Sequence, residues 1–329
     1  MRKIGFVLLL LSVLLGSTSC YNNVSSGETA TGSESSLLTV TESETESVVL
    51  GPDLTNAIHM FKDPYFKMGM YHTGIENSLI AGRFDYTLAI PQWLYTQEGS
   101  KYNLADEGVY SNPSEGVHVY EDPAKLLYID TNTGMFKLDY RASREYTPPK
   151  ITTGSLVTPT LIRDIYVNEI EHLYVTLDFT LNEVKNYMTE EEFDVHNHTI
   201  QWDFYMFFQD SKSSQWFYLG LPLYDIRGTG KTTYIGGDAG TGGTMVYIPT
   251  YEDAYGKGVK VVVGERFRQT ADMMEFAEAA FKTGIARGYL KDCKLEDFYI
   301  SGCNLGWEVS GSMDGSATVY EFSAKYIPK

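Results

Sequence analysis

Residues 199–209, with the sequence TIQWDFYMFFQ, alternate strictly between two sets of side chains. The first set is wholly apolar and consists of Ile200, Trp202, Phe204, Met206 and Phe208. The second set is mostly polar and consists of Gln201, Asp203, Tyr205, Phe207 and Gln209. Because successive side chains of a β-strand point to opposite faces, the segment is predicted to be a strand with one face in a core.

The same period of two recurs along most of the chain. Residues 172–179 turn Leu173, Val175 and Leu177 to one face, and residues 216–224 do the same with Phe217, Leu219 and Leu221. Further strands are predicted at residues 83–90, 125–130, 135–140, 245–248, 259–264, 297–301 and 317–326. Strands separated by glycine and proline in this way are typical of a mostly β fold, a two-sheet β-sandwich or jelly roll.

One α-helix is predicted at about residues 270–288, packed against the sandwich. Its apolar stripe at helical spacing consists of Met273, Phe276, Ala277, Ala280, Phe281 and Ile285. Thr270 is the predicted N-cap, and Gly288 is the predicted stop. A shorter helix around residues 181–192 is a further candidate.

The chain begins with Met1, Arg2 and Lys3, followed by an apolar run at residues 4–15. The run is shorter than the roughly 20 residues that span a membrane, and its length suits the hydrophobic region of a signal peptide. Small residues then lead to Cys20, an arrangement that resembles the lipobox of bacterial lipoproteins, although Ser17 stands where that pattern usually has leucine. We therefore expect a signal peptide at residues 1–20 and lipid on Cys20; the alternative is an ordinary signal peptide cleaved nearby.

Residues 21–49 are rich in serine, threonine, glutamate and glycine. Such a composition cannot bury enough apolar surface to offset its conformational entropy, so this segment is predicted to be a disordered stalk. Residues 50–329 are predicted to form one β-sandwich domain, because no linker divides them.

The formal net charge is −17, and loss of Arg2 and Lys3 with a signal peptide would make it −19. A chain this acidic lacks the basic surface that nucleic acid requires, and any membrane attachment is expected through lipid alone. The chain also has 25 tyrosines, 16 phenylalanines and 4 tryptophans. Aromatic residues favour strands, and they also form faces that stack on sugars.

Carboxylates on the polar faces of strands are the candidate catalytic groups, namely Asp85, Asp178, Asp203 and Glu308. Glycoside hydrolysis requires two carboxyl groups about 5 to 9.5 Å apart. The G-x-S-x-G motif of a serine nucleophile is absent. His196 and His198 lack an identifiable third ligand, so no metal site and no cofactor are predicted.

Aromatic rings beside carboxylates and amides are a common means of gripping sugars. The predicted carbohydrate-binding residues are Tyr174, Asp178, Asp203, Tyr205, Trp216 and Tyr218. If the strands at residues 172–179 and 199–209 share a sheet, these residues line one concave face. The leading interpretation is a protein that binds an extracellular glycan, and binding is favoured over catalysis.

Two segments resemble a known group of proteins. FYISGCNLGWEVSGS at residues 298–312 and FYLGLPLYDIR at residues 217–227 resemble concanavalin-A-like jelly-roll proteins of bacterial surfaces, some of which bind or cut glycans. The resemblance covers about residues 80–327 and implies fold more than activity. Two alternatives therefore stay open: a glycoside hydrolase or polysaccharide lyase using two of the four carboxylates, and a structural or adhesive domain.

Cys293 and Cys303 are the two cysteines that remain beside Cys20. In an exported protein, two cysteines ten residues apart are candidates for a disulfide, and the alternative is a pair of buried thiols.

We expect Cys20→Ala to release the protein from membranes into the medium, because the acyl chains would have no sulfur to which they could attach. Cell fractionation followed by immunoblotting measures this. Retention of the variant in the membrane fraction would contradict the lipid tether.

Overall fold

A computed structural model describes residues 52–73, 90–105, 108–145, 152–228, 230–238 and 241–329. The predicted signal peptide, Cys20, the predicted stalk at residues 21–49, and Asp85 lie outside these residues. Within the described ranges, no helix is long and apolar enough to cross a membrane.

The described residues contain seventeen strands and two α-helices. The first nine strands are β1 (Ile58–His59), β2 (Met70–Thr73), β3 (Trp93–Thr96), β4 (Val109–Ser114), β5 (Val117–Glu121), β6 (Lys125–Asp130), β7 (Met135–Arg141), β8 (Thr152–Pro159) and β9 (Ile165–Tyr166). The remaining elements are β10 (Ile170–Asn186), β11 (Thr199–Asp210), β12 (Trp216–Asp225), β13 (Tyr234–Asp238), β14 (Thr244–Ile248), α1 (Tyr251–Tyr255), β15 (Arg266–Asp272), α2 (Met273–Arg287), β16 (Phe298–Ser310) and β17 (Met313–Pro328).

The strands form two sheets that pack face to face. An eight-stranded sheet has the order β15-β10-β17-β7-β6-β5-β4, with β1 also paired to β17. A nine-stranded sheet has the order β13-β14-β12-β11-β16-β8-β3-β2, with β9 also paired to β16. The mostly β, two-sheet sandwich that the sequence predicts is confirmed.

The core between the sheets is built around two tryptophans of the nine-stranded sheet. Trp202 on β11 and Trp307 on β16 are both fully buried, with ring centroids 4.9 Å apart. The indole N–H of Trp307 donates to the carbonyl oxygen of Leu138 on β7, 3.1 Å away in the opposite sheet. Gly315 on β17 leaves room for this ring, since a Cβ there would lie 2.8 Å from it. A larger residue would force the sheets apart.

The predicted facing of β10 and β11 is confirmed, because their predicted apolar sets are buried in this core. The prediction of a helix around residues 181–192 is wrong. Strand β10 continues to Asn186, because Leu181 is fully buried opposite Ala317 of β17 and the pairing extends to Asn186 and Met313. The strand predicted at residues 259–264 is also wrong, because these residues lie outside the observed strands.

The predicted long helix is α2, although its N-terminus differs from the prediction. Asp272 is the N-cap, and its Oδ1 accepts from the backbone N–H of Met274 at 3.0 Å. Thr270 instead lies in β15, where it pairs with Thr176 of β10. Gly288 adopts the left-handed conformation, with φ at 80°, and ends the helix as predicted. The short helix α1 was not predicted.

The predicted disulfide is wrong, since Cys293 and Cys303 are free thiols. Cys303 is fully buried on β16 opposite Met206. Cys293 lies in the loop after α2, with its Sγ 4.0 Å from Asp210 Oδ2. Asp210 and Met206 are four residues apart on β11, or about 13 Å at the rise of a strand. The loop therefore holds Cys293 beyond reach of Cys303.

Strand β4 forms the edge of the eight-stranded sheet, and all six of its residues are exposed. Its pairing with β5 shifts register between Ser111 and Ser114, and Pro113 lies within this shift.

We expect Trp202→Ala to lower the free energy of unfolding by about 3–5 kcal/mol, because it leaves a cavity between the sheets. Urea denaturation measures this. Trp216→Ala is the matched control, because Trp216 lies on the outer face of the same sheet and is only half-buried. A larger loss for Trp216→Ala than for Trp202→Ala would contradict the assigned facing.

Candidate functional site

The structure divides the predicted binding residues between the two sheets. Tyr174 and Asp178 lie on β10, which pairs with β15 and β17, whereas Asp203 lies on β11, which pairs with β12 and β16. The predicted common face is therefore wrong for Tyr174 and Asp178. Alternation along a strand identifies the outward side chains, but it does not identify the sheet to which the strand belongs.

Asp178 has a structural role on the outer face of the eight-stranded sheet. Its Oδ1 lies 2.6 Å from Nε of Arg266 and its Oδ2 lies 2.8 Å from Nη2, which is a bidentate ion pair. The guanidinium of Arg266 also lies over the ring of Tyr320, 4.2 Å from its centroid. These contacts leave Asp178, which is 2% exposed, without a catalytic setting.

The other predicted residues meet on the outer face of the nine-stranded sheet. Asp203 is opposite Gly306 of β16, and Glu308 lies two residues further along the same face of that strand. Asp203 and Glu308 are thus diagonal neighbours, which places their Cα atoms about 7–8 Å apart. Tyr205 is opposite Asn304, on the other side of Asp203.

This outer face is sheltered from solvent, although it is not the core face. Asp203 and Asn304 are each only 8% exposed. Oδ2 of Asp203 and Oδ1 of Asn304 accept no hydrogen bond from any described residue. Buried polar atoms are nearly always paired in folded proteins, and an unpaired one is costly. Two such acceptors side by side on one face indicate a place for a ligand that donates hydrogen bonds.

A group of aromatic side chains lies beside the carboxylates. Phe207, Tyr218 and Val246 form a small buried cluster that is separate from the main core. Trp216 packs its edge against Tyr218, with ring centroids 4.5 Å apart and an interplanar angle of 84°. Trp216 is half-buried, so part of its ring is accessible to a ligand.

Tyr205 links the carboxylates to the aromatic group. Its ring centroid lies 6.1 Å from that of Tyr218. Gly220 of β12 stands opposite Tyr205, and a Cβ at that position would lie 2.8 Å from the Tyr205 ring. The glycine therefore allows the Tyr205 ring to lie across the sheet.

Glu98 is a third carboxylate of this face, and the sequence reasoning missed it. Its carbonyl oxygen accepts from the backbone N–H of Gly154 at 2.9 Å, and a Cβ on Gly154 would lie 3.9 Å from the Cβ of Glu98. Gly154 of β8 is in turn the partner of Glu308. Glu98 therefore stands beside Glu308.

A buried lysine anchors the segment that carries Glu98. Nζ of Lys125 lies 2.5 Å from Oγ of Ser100, two residues beyond Glu98. The same Nζ lies 3.0 Å from Asp122 Oδ2 and 3.1 Å from Glu145 Oε1, and all three charged side chains are buried. Breaking such a buried ion cluster is costly, so the position of this segment is strongly constrained.

The carboxylates of the outer face raise one another's pKa values. Burial and the charge of Glu308 raise the pKa of Glu98 to about 7, and burial and the charge of Asp238 raise the pKa of Glu308 to about 7. Burial, followed by the charges of Glu308 and Asp225, holds the pKa of Asp203 well above its usual range. At neutral pH these groups therefore share protons.

Asp238 also acts on Glu308, because its charge raises the pKa of that carboxyl group. Asp238 lies on β13, at the edge of the same sheet, and three strands separate β13 from the strand of Glu308.

The cation closest to the carboxylates is already paired. Arg227 lowers the pKa of Asp203, but its guanidinium lies against Asp225, with Nε 2.9 Å from Oδ1 and Nη2 2.5 Å from Oδ2. Asp225 Oδ1 also accepts from the hydroxyl of Thr199 at 3.0 Å. Arg227 and Asp225 thus neutralise each other at the border of the site.

The residues that sequence reasoning missed differ in how they could have been found. Asn304 lies four residues before Glu308, so the alternation of β16 places both on one face. Glu98 reaches the face through sheet pairing, and Asp238 acts on it from another strand, and the sequence has no local signal for either. In the described part of the chain, no group of three or more histidine, cysteine, aspartate or glutamate residues could hold a metal ion.

No family model matches this sequence, and no curated protein matches it. Solved structures do align with it. A meso-active, thermostable cellulase derived from Cel12A of Rhodothermus marinus aligns at 14% identity and TM-score 0.37, over 65% of this chain and 93% of that one. Endoglucanase 3 of Trichoderma harzianum, from family GH12, aligns at 10% identity and TM-score 0.35, over 68% and 96%. The family 11 xylanase of Neocallimastix patriciarum aligns at 9% identity and TM-score 0.37, over 68% and 96%.

These three proteins are glycoside hydrolases on jelly-roll β-sandwiches, the kind of fold that the sequence resemblance implies. With TM-scores this low, the fold of the present chain rests on its own sheet pairing, and its activity has to be argued from its own site.

We expect Glu308→Gln to raise the melting temperature at about pH 8 and to leave it unchanged at about pH 4. Because the folded-state pKa of Glu308 lies above its unfolded value, ionisation costs stability, and this cost appears as pH rises from about 4.5 to about 7. Glutamine removes the cost, which is on the order of 3 kcal/mol at high pH.

Thermal denaturation across this pH range measures the effect. The control is Glu171→Gln, which makes the same change at an exposed position on β10. An equal shift for Glu308→Gln at both pH values would show that the ionisation of Glu308 is not responsible.

Proposed function

We propose that this protein binds an extracellular carbohydrate on the outer face of its nine-stranded sheet. The observation that carries the proposal is the pair of buried oxygens, Asp203 Oδ2 and Asn304 Oδ1, that accept no hydrogen bond from the described residues and lie beside the aromatic group that includes Trp216. A sugar presents hydroxyl donors on its edges and C–H groups on its faces. Its hydroxyl groups would donate to the two acceptors while its C–H face stacks on the exposed part of the Trp216 ring.

A structural or adhesive domain without a small-molecule site explains this face less well. Such a domain has no need to bury Asp203 and Asn304 with acceptors unpaired, because each unmet hydrogen bond costs about 1–3 kcal/mol. A ligand that supplies donors recovers that cost on binding, so the arrangement favours a binding protein.

Glycoside hydrolysis is the second candidate, and the carboxyl arrangement favours it. The diagonal placement of Asp203 and Glu308 is compatible with the separation of about 5 to 9.5 Å that glycosidases use. One carboxyl group must be protonated at working pH to act as the general acid. The pKa of Glu308, raised to about 7, meets this requirement.

We also propose that Cys20 carries the lipid that anchors the protein to the outside of a bacterial membrane. The support is the short apolar run before Cys20 and the polar stalk after it. In this arrangement the stalk would hold the carbohydrate site away from the membrane.

A glycan array probed with the full chain identifies an oligosaccharide ligand, and calorimetric titration then measures its affinity. We expect Trp216→Ala to weaken binding by about fivefold to tenfold, since a ring stacked on a sugar contributes on the order of 1 kcal/mol. Tyr174→Ala is the matched control, because Tyr174 lies on the other sheet and should leave the affinity unchanged. Equal losses in both variants would contradict the assigned face.

Hydrolysis is tested separately with the same oligosaccharide. If the chain is an enzyme, reducing ends should appear over time, and Glu308→Gln should abolish them while the oligosaccharide still binds. Binding without any release of reducing ends would remove the second candidate and leave the first in place.

A further inference from the structure

We propose that the carbohydrate bound on this face carries free amino groups, as an oligosaccharide of unacetylated glucosamine does. The inference rests on the proposed carbohydrate site and names the class of sugar that it takes. The geometry that carries it is a row of carboxyl groups across one face of the sheet, with one oxygen of Asp203 that accepts no hydrogen bond from the described residues.

The row crosses the outer face from the segment that follows β3 to strand β11. Glu98 stands against β8, Glu308 follows on β16, and Asp203 follows on β11. Neighbouring strands are about 4.8 Å apart. Gly154 of β8 separates Glu98 from Glu308, so the row has carboxyl groups on both sides of this glycine and again on β11. Asp238 adds the charge of a further carboxylate from β13, at the edge of the same sheet.

No basic side chain of the described residues neutralises this row. Arg227 is held by Asp225, as the two contacts above show. Lys101, the nearest basic residue to Glu98 along the chain, is exposed, with its Nζ 5.2 Å from the ring centroid of Tyr102. The charges that act on Glu98 and Glu308 come from other carboxylates, and their titratable neighbours across the face are the phenols of Tyr205 and Tyr218.

An ammonium group suits this environment better than a hydroxyl group does. It brings a positive charge between Glu308 and Asp203, which offsets their mutual repulsion, and it has three N–H donors for acceptors that include Asp203 Oδ2. Hydrogen bonds to charged groups contribute about 1.5–3 kcal/mol, compared with about 1 kcal/mol for neutral pairs. A polyanionic glycan would be repelled by the same row.

A bare metal ion is a poorer occupant of the same row. The described carboxylates do not converge closely enough for three of them to ligate one ion. A linear amino sugar places its charges one residue apart, so it can meet carboxyl groups that are spread along a face.

Binding of an amino sugar should change the protonation of the carboxyl groups in the row, whereas binding of an uncharged sugar should not. An ammonium group stabilises the ionised carboxylates, so its binding lowers the pKa values of Glu98 and Glu308 from about 7. A sugar whose amino groups are already protonated therefore releases protons from these carboxyl groups to solvent on binding near neutral pH. A neutral sugar leaves the charge of the row unchanged.

The test is calorimetric titration of the full chain carrying Cys20→Ala, at about pH 6.5 and with EDTA present. The probes are hexasaccharides of glucosamine, of N-acetylglucosamine and of glucose. We expect the glucosamine hexamer to bind about tenfold more tightly than the other two, as one charge-assisted contact predicts. Titration in two buffers of different ionisation enthalpy should show proton release for this probe alone.

Variants of the carboxyl groups test whether the row causes the preference for glucosamine. Glu308→Gln and Glu98→Gln should each reduce the preference for glucosamine, and neither removes a counter-ion on which the fold depends. Glu171→Gln, which makes the same charge change on the other sheet, should retain it.

Equal or weaker binding of the glucosamine hexamer, or a preference that survives both site variants, would overturn the amino-sugar assignment. The carbohydrate site itself would stand if a neutral hexamer still bound in a Trp216-dependent manner. Absence of binding by all three probes, together with a blank glycan array, would overturn both proposals.

Discussion

The packing of Trp202 against Trp307 between the sheets is the contact on which the remaining structure depends. Both rings point inwards, so the residues next to them in sequence, Asp203 and Glu308, must point outwards. A slip of one residue in the register of either strand would bring a carboxylate into the core and a tryptophan into water. The hydrophobic core and the candidate site are thus specified by the same alternation. The hydrogen bond from the Trp307 indole to the opposite sheet fixes the depth at which the rings pack.

The arrangement of groups on the outer face lowers the stability of the protein, and contacts elsewhere in the fold offset this cost. Carboxyl groups with raised pKa values repel one another, and two buried oxygens accept no hydrogen bond from described residues. Functional sites commonly carry such costs, because groups arranged for a ligand are not arranged for stability. The buried cluster around Lys125 contributes by anchoring the segment with Glu98. The free energy gained between the sheets therefore offsets the cost of the outer face.

Local periodicity predicted the secondary structure of the central strands well and their arrangement only in part. The inward and outward faces of β10 and β11 followed directly from the sequence. The assignment of Asp178 and Asp203 to one face failed, because sheet membership depends on pairing between segments that are distant in the chain. Glu98 was missed for the same reason. Thr270 was a plausible cap, but pairing with Thr176 draws it into a strand and leaves Asp272 to cap the helix. Proximity in sequence similarly suggested a disulfide that the positions of Cys293 and Cys303 exclude.

Under the proposed lipid anchor, the exposed edge strand β4 affects how neighbouring copies of this protein would contact one another. An open edge can add a strand from a neighbour, and this is a route to aggregation. Pro113 lacks an N–H to donate, and the register shift beside it interrupts the row of free backbone groups. Lipid-anchored molecules, as proposed here through Cys20, diffuse in two dimensions and collide often. An edge interrupted in this way lets such molecules be packed densely without polymerising through their sheets.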